Sequence, residues 1–278
     1  MRIYKIFGLL LVCCLVCIQA CDIVEEPFEE TPTTTTPPTS AAKKVLVEEF
    51  TGHQCGNCPA VSASLHDLKT QAFPDQLITI LIHTGSLARP KTSGTKFLSD
   101  YRTQAGDDIA SRFSLPGVPF GLVNRVGGLQ ASSEWASSIS LELQEAPVVS
   151  IEIDNSFDAS SRVLTSEVTT TYLENSSDQD YLVLALIEDN VVDWQKDYSQ
   201  NPQDVPDYNH HDLFRGNINS TWGDQLSTAS IGAGEIFTKS YTYTLPADYD
   251  ASNCKVVAYV RNADSDEIVN AEEVALQP

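Results

Sequence analysis

Two cysteines separated by two residues, Cys55 and Cys58, are the side chains of this sequence best suited to do chemistry. They follow a strand-like segment, Val45–Phe50, and Pro59 comes directly after the second cysteine. Because proline is favoured in the first turn of a helix, this order predicts a strand, a turn that carries the pair, and a helix. The unpaired N–H groups and the positive dipole at a helix start lower a cysteine pKa to roughly 3.5–7.5, from about 8.5. The pair is therefore expected to exchange between dithiol and disulfide, with the Cys55 sulfur exposed and the Cys58 sulfur buried.

Other interpretations of the pair remain open at the level of the sequence. The cysteines could form a purely structural disulfide. They could also bind copper or zinc together with His53, with His83 or the adjacent His210 and His211 as a further ligand. His53 alone could be a solvated turn residue, or a cation that favours the Cys55 thiolate. We predict neither a metal nor a cofactor at this site.

The segment that must position the pair has a mixed pattern of strands and helices. The pattern predicts strands over Val45–Phe50, Leu77–His83 and Val118–Arg125, helices over Pro59–Phe73, Asp107–Phe113 and Ser132–Glu145, and a helical patch over Lys96–Tyr101.

After Pro147 the apolar residues alternate with a period of two, which predicts a β-sandwich. The expected strands begin near Val149 and continue through Leu164–Tyr172, Tyr181–Ile187, Phe237–Leu245, Val256–Arg261 and Ile268–Leu276. Between them, the polar segment Glu188–Gly234 is predicted to be irregular, and a loop of that length is usually functional or contains unrecognised structure. Cys254 is expected to be a small buried hydrophobic residue.

Across residues 44–145, the order of strand, Cys-x-x-Cys helix, strand and Val-Pro strand resembles the thioredoxin superfamily. The resemblance implies that Cys55 attacks the substrate, that Cys58 resolves the mixed disulfide, and that Glu49 is a buried acid that exchanges protons with Cys58. It also implies that Val118-Pro119 is a cis-proline site whose preceding backbone pairs with a substrate chain. From its position alone, Glu49 could equally lie at an exposed strand end.

A larger part of the chain is similar to the Omp28-related outer-membrane lipoproteins, which pair such a domain with a β-rich second domain. The segments that carry this resemblance are Glu48–Gly52, Cys55, Asn57–Pro59 and His211–Gly216. The predicted fold is an α/β thioredoxin-like domain at residues 43–146, followed by an all-β immunoglobulin-like sandwich domain at residues 147–278.

The N-terminal residues predict export and lipid attachment. Residues 1–20 combine a basic start with a short apolar run, as signal peptides do. The run ends in Ile-Gln-Ala-Cys, which resembles a bacterial lipobox, so Cys21 is expected to be acylated; an ordinary signal peptide cut near residue 20 is the alternative. Residues 21–42 form a tether rich in Glu, Thr and Pro. Its acidic start resembles the surface-export signal of Bacteroidota-type lipoproteins, with a solvated spacer as the alternative.

The charge balance narrows the possible partners. The chain has 17 Lys and Arg against 38 Asp and Glu, a net charge of −21. Such a surface repels phosphate backbones, so no nucleic-acid partner is expected.

Together these features predict a lipid-anchored protein of the cell envelope, held at the outer membrane and facing the periplasm or the surface. Its predicted activity is thiol–disulfide oxidoreduction on protein or peptide thiols, with an unidentified electron donor or acceptor and with lipid on Cys21 holding it to the membrane. The alternative is a non-catalytic surface lipoprotein that binds a partner through its β-sandwich, with the thioredoxin-like domain as a scaffold.

Overall fold

A computed structural model describes residues 41–176 and 179–278 of the chain. The predicted signal peptide, the lipidation residue Cys21 and the tether as far as residue 40 lie outside these residues.

The first part of the described chain alternates strands and helices, largely as the sequence predicts. Its elements are β1 (Val45–Thr51), α1 (Cys58–Asp67, continued by a π-helical turn Leu68–Ala72), β2 (Leu77–His83), a 3₁₀ turn (Ser86–Ala88), α2 (Gln104–Arg112), β3 (Phe120–Val123), β4 (Leu129–Gln130) and α3 (Ser132–Glu142). Helix α2 begins before the predicted Asp107 because the Thr103 side chain accepts a hydrogen bond from the Gly106 N–H at 2.9 Å and caps it. In the described residues, no helix is both long enough and apolar enough to cross a membrane.

The helical patch predicted at Lys96–Tyr101 is wrong, since this segment has no regular secondary structure. Phe97 has a φ of 60°, which a right-handed helix does not accommodate. The Ser99 and Tyr101 hydroxyls instead donate to the carboxylate of Asp193 at 2.6 and 2.7 Å. Contacts with a distant part of the chain therefore fix this segment.

The second part of the described chain consists almost entirely of strands. They are β5 (Val149–Asp158), β6 (Val163–Tyr172), β7 (Asp180–Glu188), β8 (Val191–Lys196), β9 (Asp204–His210), β10 (Leu213–Asn217), β11 (Asp224–Gln225), β12 (Ile236–Thr244), β13 (Cys254–Asn262) and β14 (Ile268–Ala275). The prediction that Glu188–Gly234 is irregular is wrong, because β8 to β11 lie within it.

One nine-stranded sheet contains strands from both parts of the chain. Its order is β14-β13-β7-β10-β2-β1-β3-β4, with β11 paired to β7. The junction is the parallel contact of β10 with β2, where Leu213 pairs with Leu81. The remaining strands form a three-stranded sheet, β12-β6-β5, and the separate hairpin β8-β9. Strands from both sides of the predicted domain boundary, between residues 146 and 147, therefore belong to one sheet. Whether the two parts fold separately stays a prediction.

The buried side chains form three clusters. One cluster joins both parts of the chain, since Phe50 and Ile80 pack with Ile109 of α2 and with Val257 and Tyr259 of β13. A second lies among β1, β2, α1 and α3, and a third among β5, β6, β7 and β13. Removing these apolar surfaces from water is the main force that holds the layers together.

A buried ion pair also links the two parts. The Arg125 guanidinium donates to both carboxylate oxygens of Glu48 at 2.7 Å, and the two side chains are 0% and 2% exposed. Arg125 donates as well to the Tyr259 hydroxyl at 3.2 Å, and its guanidinium carbon lies 5.9 Å from the centre of the Trp222 ring. The pair therefore connects β1 and the end of β3 with β13.

We expect Arg125→Met to lower the free energy of unfolding by about 3–5 kcal/mol, because it leaves the Glu48 carboxylate buried without its partner. Urea unfolding followed by circular dichroism measures the change. The control is Arg102→Met, which removes a partly exposed ion pair with Asp100 and should cost at most about 1 kcal/mol. Equal, small losses in the two variants would contradict a structural role for the buried pair.

Candidate functional site

Cys55 and Cys58 form a disulfide at the start of α1. Strand β1 ends at Thr51 and is followed by a tight turn, residues 52–57, which we call the cysteine turn. In this turn the Cys55 N–H donates to the Gly52 carbonyl at 2.9 Å. Glycine is needed at position 52 because a Cβ there would lie 2.7 Å from the backbone of Leu87. The cysteines thus lie where the sequence predicts them, between a central strand and a helix.

The expectation that the Cys55 sulfur is exposed is wrong, since Cys55 is 3% and Cys58 1% exposed. The β8-β9 hairpin covers the turn. The Lys196 N–H donates to the His53 carbonyl at 2.8 Å, and the Tyr198 N–H donates to the Gly56 carbonyl at 2.9 Å. A segment from the second part of the chain therefore closes over the disulfide.

Gln195 adds a side-chain contact to this cover. Its buried amide donates to the Cys55 carbonyl at 3.1 Å and to the Lys196 carbonyl at 2.9 Å. Gln195 and Tyr198 are not among the site residues predicted from the sequence. One sequence signal could have predicted the hairpin. Two short runs that contain valine and an aromatic residue flank the polar, proline-containing segment 197–203.

A cleft of about 350 Å³ lies beside Cys58. It is lined by residues of α1, β2 and β9, including Ser62, His83, Tyr208 and His210. Cleft and disulfide share Cys58, so a molecule in the cleft would lie against the resolving cysteine of the predicted pair.

Glu49 lies buried beneath α1, so the alternative of an exposed strand end is wrong. The Ser62 hydroxyl, one helical turn beyond Cys58, donates to Glu49 Oε1 at 2.7 Å. Among the described residues, Glu49 Oε2 has no hydrogen-bond partner. Burial raises the Glu49 pKa to about 8, against a smaller opposing effect of the Ser62 hydrogen bond. A carboxyl group with this pKa can accept or release a proton near neutral pH.

Three buried histidines lie next to the turn. The ring of His53 stacks on Phe97 with 5.7 Å between centroids, and the His83 and His210 rings are 5.4 Å apart. Burial lowers the pKa of all three histidines, that of His210 to about 4, so they are neutral at pH 7. His53 is therefore neither a solvated residue nor a cation. His210 is the buried last residue of β9 rather than a polar loop residue, which corrects that prediction as well.

No group of three or more His, Cys, Asp or Glu side chains within residues 41–176 and 179–278 is arranged to hold a metal ion. His211, which the metal alternative also included, lies in a different contact. Its Nδ1 is 2.7 Å from an oxygen of Asp189, and this hydrogen bond raises the His211 pKa.

The peptide bond between Val118 and Pro119 is cis, as the sequence analysis predicts. Both residues are half-buried, and β3 begins at the next residue, Phe120, which pairs with Phe50 of β1. Pro119 and the cysteine turn therefore adjoin the same end of two neighbouring strands.

The downstream segment His211–Gly216 connects the two parts of the chain. Asp212 accepts hydrogen bonds from Lys69 and Thr79, and its backbone carbonyl accepts the Leu81 N–H at 2.9 Å. These contacts fasten β10 to β2 beside the cleft.

Cys254 lies fully buried at the start of β13, which confirms the prediction for this residue. Burial raises the pKa of its thiol to about 12, so the thiol stays protonated at neutral pH. Cys254 is therefore a core residue and no thiolate nucleophile.

Comparison with known proteins gives one family. The family model described as "Outer membrane protein Omp28" matches residues 107–278, which include the β8-β9 hairpin and lie beyond the cysteine pair. Among curated proteins, none matches the chain.

The solved structures that are similar to this chain include two proteins of Porphyromonas gingivalis. HBP35 of Porphyromonas gingivalis has a TM-score of 0.61 and 17% identity, over 85% of this chain and 76% of that one. At this identity the likeness concerns the fold alone. A domain of the outer membrane lipoprotein Omp28 from P. gingivalis has a TM-score of 0.31 and 18% identity, over 47% of this chain and 89% of that one.

The raised pKa of Glu49 predicts a pH-dependent stability. Because the folded protein holds this proton more tightly than the unfolded chain, the contribution is complete below the ordinary pKa of 4.5 and is lost as pH rises towards about 8. One pKa unit corresponds to about 1.4 kcal/mol, so the loss should be on the order of a few kcal/mol.

Urea unfolding between pH 4.5 and pH 8 measures this effect. Glu49→Gln should flatten the profile, whereas the control Glu174→Gln, at an exposed position, should leave it unchanged. A wild-type profile that Glu49→Gln does not alter would show that the Glu49 carboxyl is not held protonated.

Proposed function

The chain belongs to the Omp28 outer membrane protein family, and from this premise we propose that it is a lipid-anchored thiol–disulfide oxidoreductase of the outer membrane. Its substrates are protein or peptide thiols and disulfides, and its reactive groups are Cys55 and Cys58. An electron donor or acceptor of unidentified nature restores the pair after each turnover. The acidic surface gives no support to a nucleic-acid partner.

The observation that carries this proposal is the buried Glu49 carboxyl beneath the helix that begins with Cys58. Its pKa of about 8 matches the proton transfer that a thiol pair needs near neutral pH. Burying a carboxyl group with one unpartnered oxygen costs stability, and such costs are typical of functional sites. A disulfide that served only as a crosslink would need no titrating group beneath it.

For the fold, we propose a thioredoxin-like unit at residues 43–146 whose sheet is extended by an immunoglobulin-like sandwich at residues 147–278. The order of β1, α1, β2, α2, β3, β4 and α3, with the sheet order β2-β1-β3-β4 and β3 antiparallel, supports the first unit. The packing of the β12-β6-β5 sheet against β7 and β13 supports the second.

In the proposed reaction, the Cys55 thiolate attacks a substrate disulfide and one substrate sulfur leaves as a thiolate. Cys58 then loses its proton to Glu49 and attacks the Cys55 sulfur of the mixed disulfide. The Cys55–Cys58 bond forms, the second substrate sulfur leaves, and two electrons have passed to the substrate. Pro119, preceded by Val118, lies at the same end of the sheet and would align the substrate backbone beside the sulfurs.

The burial of both cysteines favours a second candidate. At 3% and 1% exposure the pair is shielded as a structural disulfide is, which suits a non-catalytic lipoprotein that binds a partner through its β-sandwich. The two candidates differ in whether the Cys55–Cys58 bond must open during function.

The protein should catalyse the reduction of a disulfide in an unfolded protein substrate, with multiple turnovers when a chemical reductant is present in excess. In a separate trapping experiment, each variant is first reduced and the reductant is then removed. We expect Cys58→Ser to accumulate mixed disulfides on Cys55, since the resolving thiol is missing, and Cys55→Ser to accumulate few. Non-reducing electrophoresis followed by peptide mapping measures both, with Cys254→Ser as the control that leaves turnover intact. Wild-type turnover no faster than that of the Cys55→Ser/Cys58→Ser variant would support the scaffold candidate instead.

The lipid anchor is tested at Cys21, which lies outside the described residues. Mass spectrometry of the mature protein should find an acylated N-terminal Cys21. Cys21→Ser should move the protein from the membrane to the soluble fraction, because the acyl chains supply the membrane affinity. Retention of the variant in the membrane fraction would contradict this anchor.

A further inference from the structure

The β8-β9 hairpin has an unusual relation to the rest of the molecule. Within the described residues, β8 and β9 pair with each other and join neither of the larger sheets. The base of the hairpin is fixed, because Asp193 accepts hydrogen bonds from Ser99 and Tyr101. Its tip, Lys196–Gln203, reaches over the cysteine turn and is largely exposed beyond Asp197.

The tip contacts the turn as an extended chain would. Lys196 and Tyr198 are two residues apart, and their N–H groups donate to the carbonyls of His53 and Gly56 at 2.8 and 2.9 Å. In an extended segment, N–H groups two residues apart point to the same side. The turn therefore presents two carbonyls at the spacing that one edge of an extended polypeptide satisfies.

The Tyr198 side chain of the tip lies close to the cysteine turn, but much of its surface is exposed to solvent. A Cβ at Gly56 would lie 2.5 Å from the ring of Tyr198, so the ring rests directly on the glycine. The same side chain remains 56% exposed. Exposed segments with few buried apolar contacts open at low free-energy cost, so the tip can leave while Asp193 holds the base.

We propose that the hairpin tip occupies the binding place of the substrate, an extended and unfolded polypeptide segment with a cysteine, and that the substrate binds by displacing the tip. The substrate's backbone N–H groups take over the carbonyls of His53 and Gly56, and the sulfurs become accessible in the same step. This inference rests on the proposed function, because it names the substrate class of the same site and the segment that blocks access to it. Main-chain hydrogen bonds of this kind bind a peptide without regard to its sequence.

The chemical step in the test is reduction of the Cys55–Cys58 bond by a thiol. One thiolate attacks a sulfur of the pair, a mixed disulfide forms, and the other cysteine leaves as a thiolate. A second thiol then attacks the reductant's sulfur in the mixed disulfide. The pair ends as two thiols, and the reductant ends as its disulfide after giving up two electrons.

Two reductants and two variants separate displacement from simple shielding. The reductants are dithiothreitol and a ten-residue peptide with one central cysteine and blocked ends. One variant replaces residues 197–203 with Asn-Gly, which suits a two-residue turn because Lys196 and Asp204 pair directly across the hairpin. The other is Tyr198→Gly, which keeps the hairpin length. The controls are Tyr198→Phe, which keeps the ring, and Val192→Ala at an exposed position of β8.

Rates are measured by trapping free thiols with an alkylating reagent at successive times. Mass spectrometry then gives the fraction of protein in which the pair is alkylated. We expect the peptide to reduce both variants at least tenfold faster than wild type, with a smaller acceleration for dithiothreitol and no change in the controls. Equal acceleration of the two reductants, or none, would overturn the proposal. Since each rate concerns one reduction of the pair, the result is independent of whether the protein turns over, and the two claims can fail separately.

Discussion

The hydrogen bonds from the hairpin tip to the cysteine turn are the constraint on which the chemistry of this site depends. With Lys196 and Tyr198 bonded to the turn, the disulfide is largely removed from solvent, and Cys58 lines the neighbouring cleft. Burial beneath α1 keeps the Glu49 pKa high, and burial also keeps His83 and His210 neutral near the disulfide. The contacts of the tip with the turn therefore set the access of other molecules to the Cys55–Cys58 bond.

Accurate closure requires that the two parts of the chain hold a fixed geometry. The hairpin belongs to the second part, whereas the cysteines belong to the first. The continuous sheet through β10 and β2, the Glu48–Arg125 ion pair and the Asp212 contacts fix one against the other. A buried ion pair contributes little net stability over an apolar pair, but it penalises any arrangement in which the charges separate. We infer that its role here is to fix the relative position of β1 and β13.

The sequence predicted the parts of the site whose structure is local. The β1 strand, the start of α1 after the cysteines and the β2 strand follow from apolar periodicity and from Pro59, and the structure confirms them. The hairpin could not be predicted in this way, because β8 and β9 are short, partly polar, and stabilised by residues about a hundred positions earlier in the chain, such as Ser99 and Tyr101. The burial of His53 and Cys55 was missed for the same reason, since the chain that covers them is remote in sequence.

The central claim is that the Cys55–Cys58 bond opens during function, and an equilibrium redox titration tests it most directly. The intact protein is equilibrated with defined ratios of reduced and oxidised glutathione or dithiothreitol, and the fraction of free Cys55 and Cys58 is counted after alkylation. Oxidoreductase pairs have potentials of roughly −120 to −270 mV, whereas structural disulfides lie below about −300 mV. We predict a midpoint within the first range. A midpoint below about −300 mV would contradict the redox function and identify the bond as a structural crosslink.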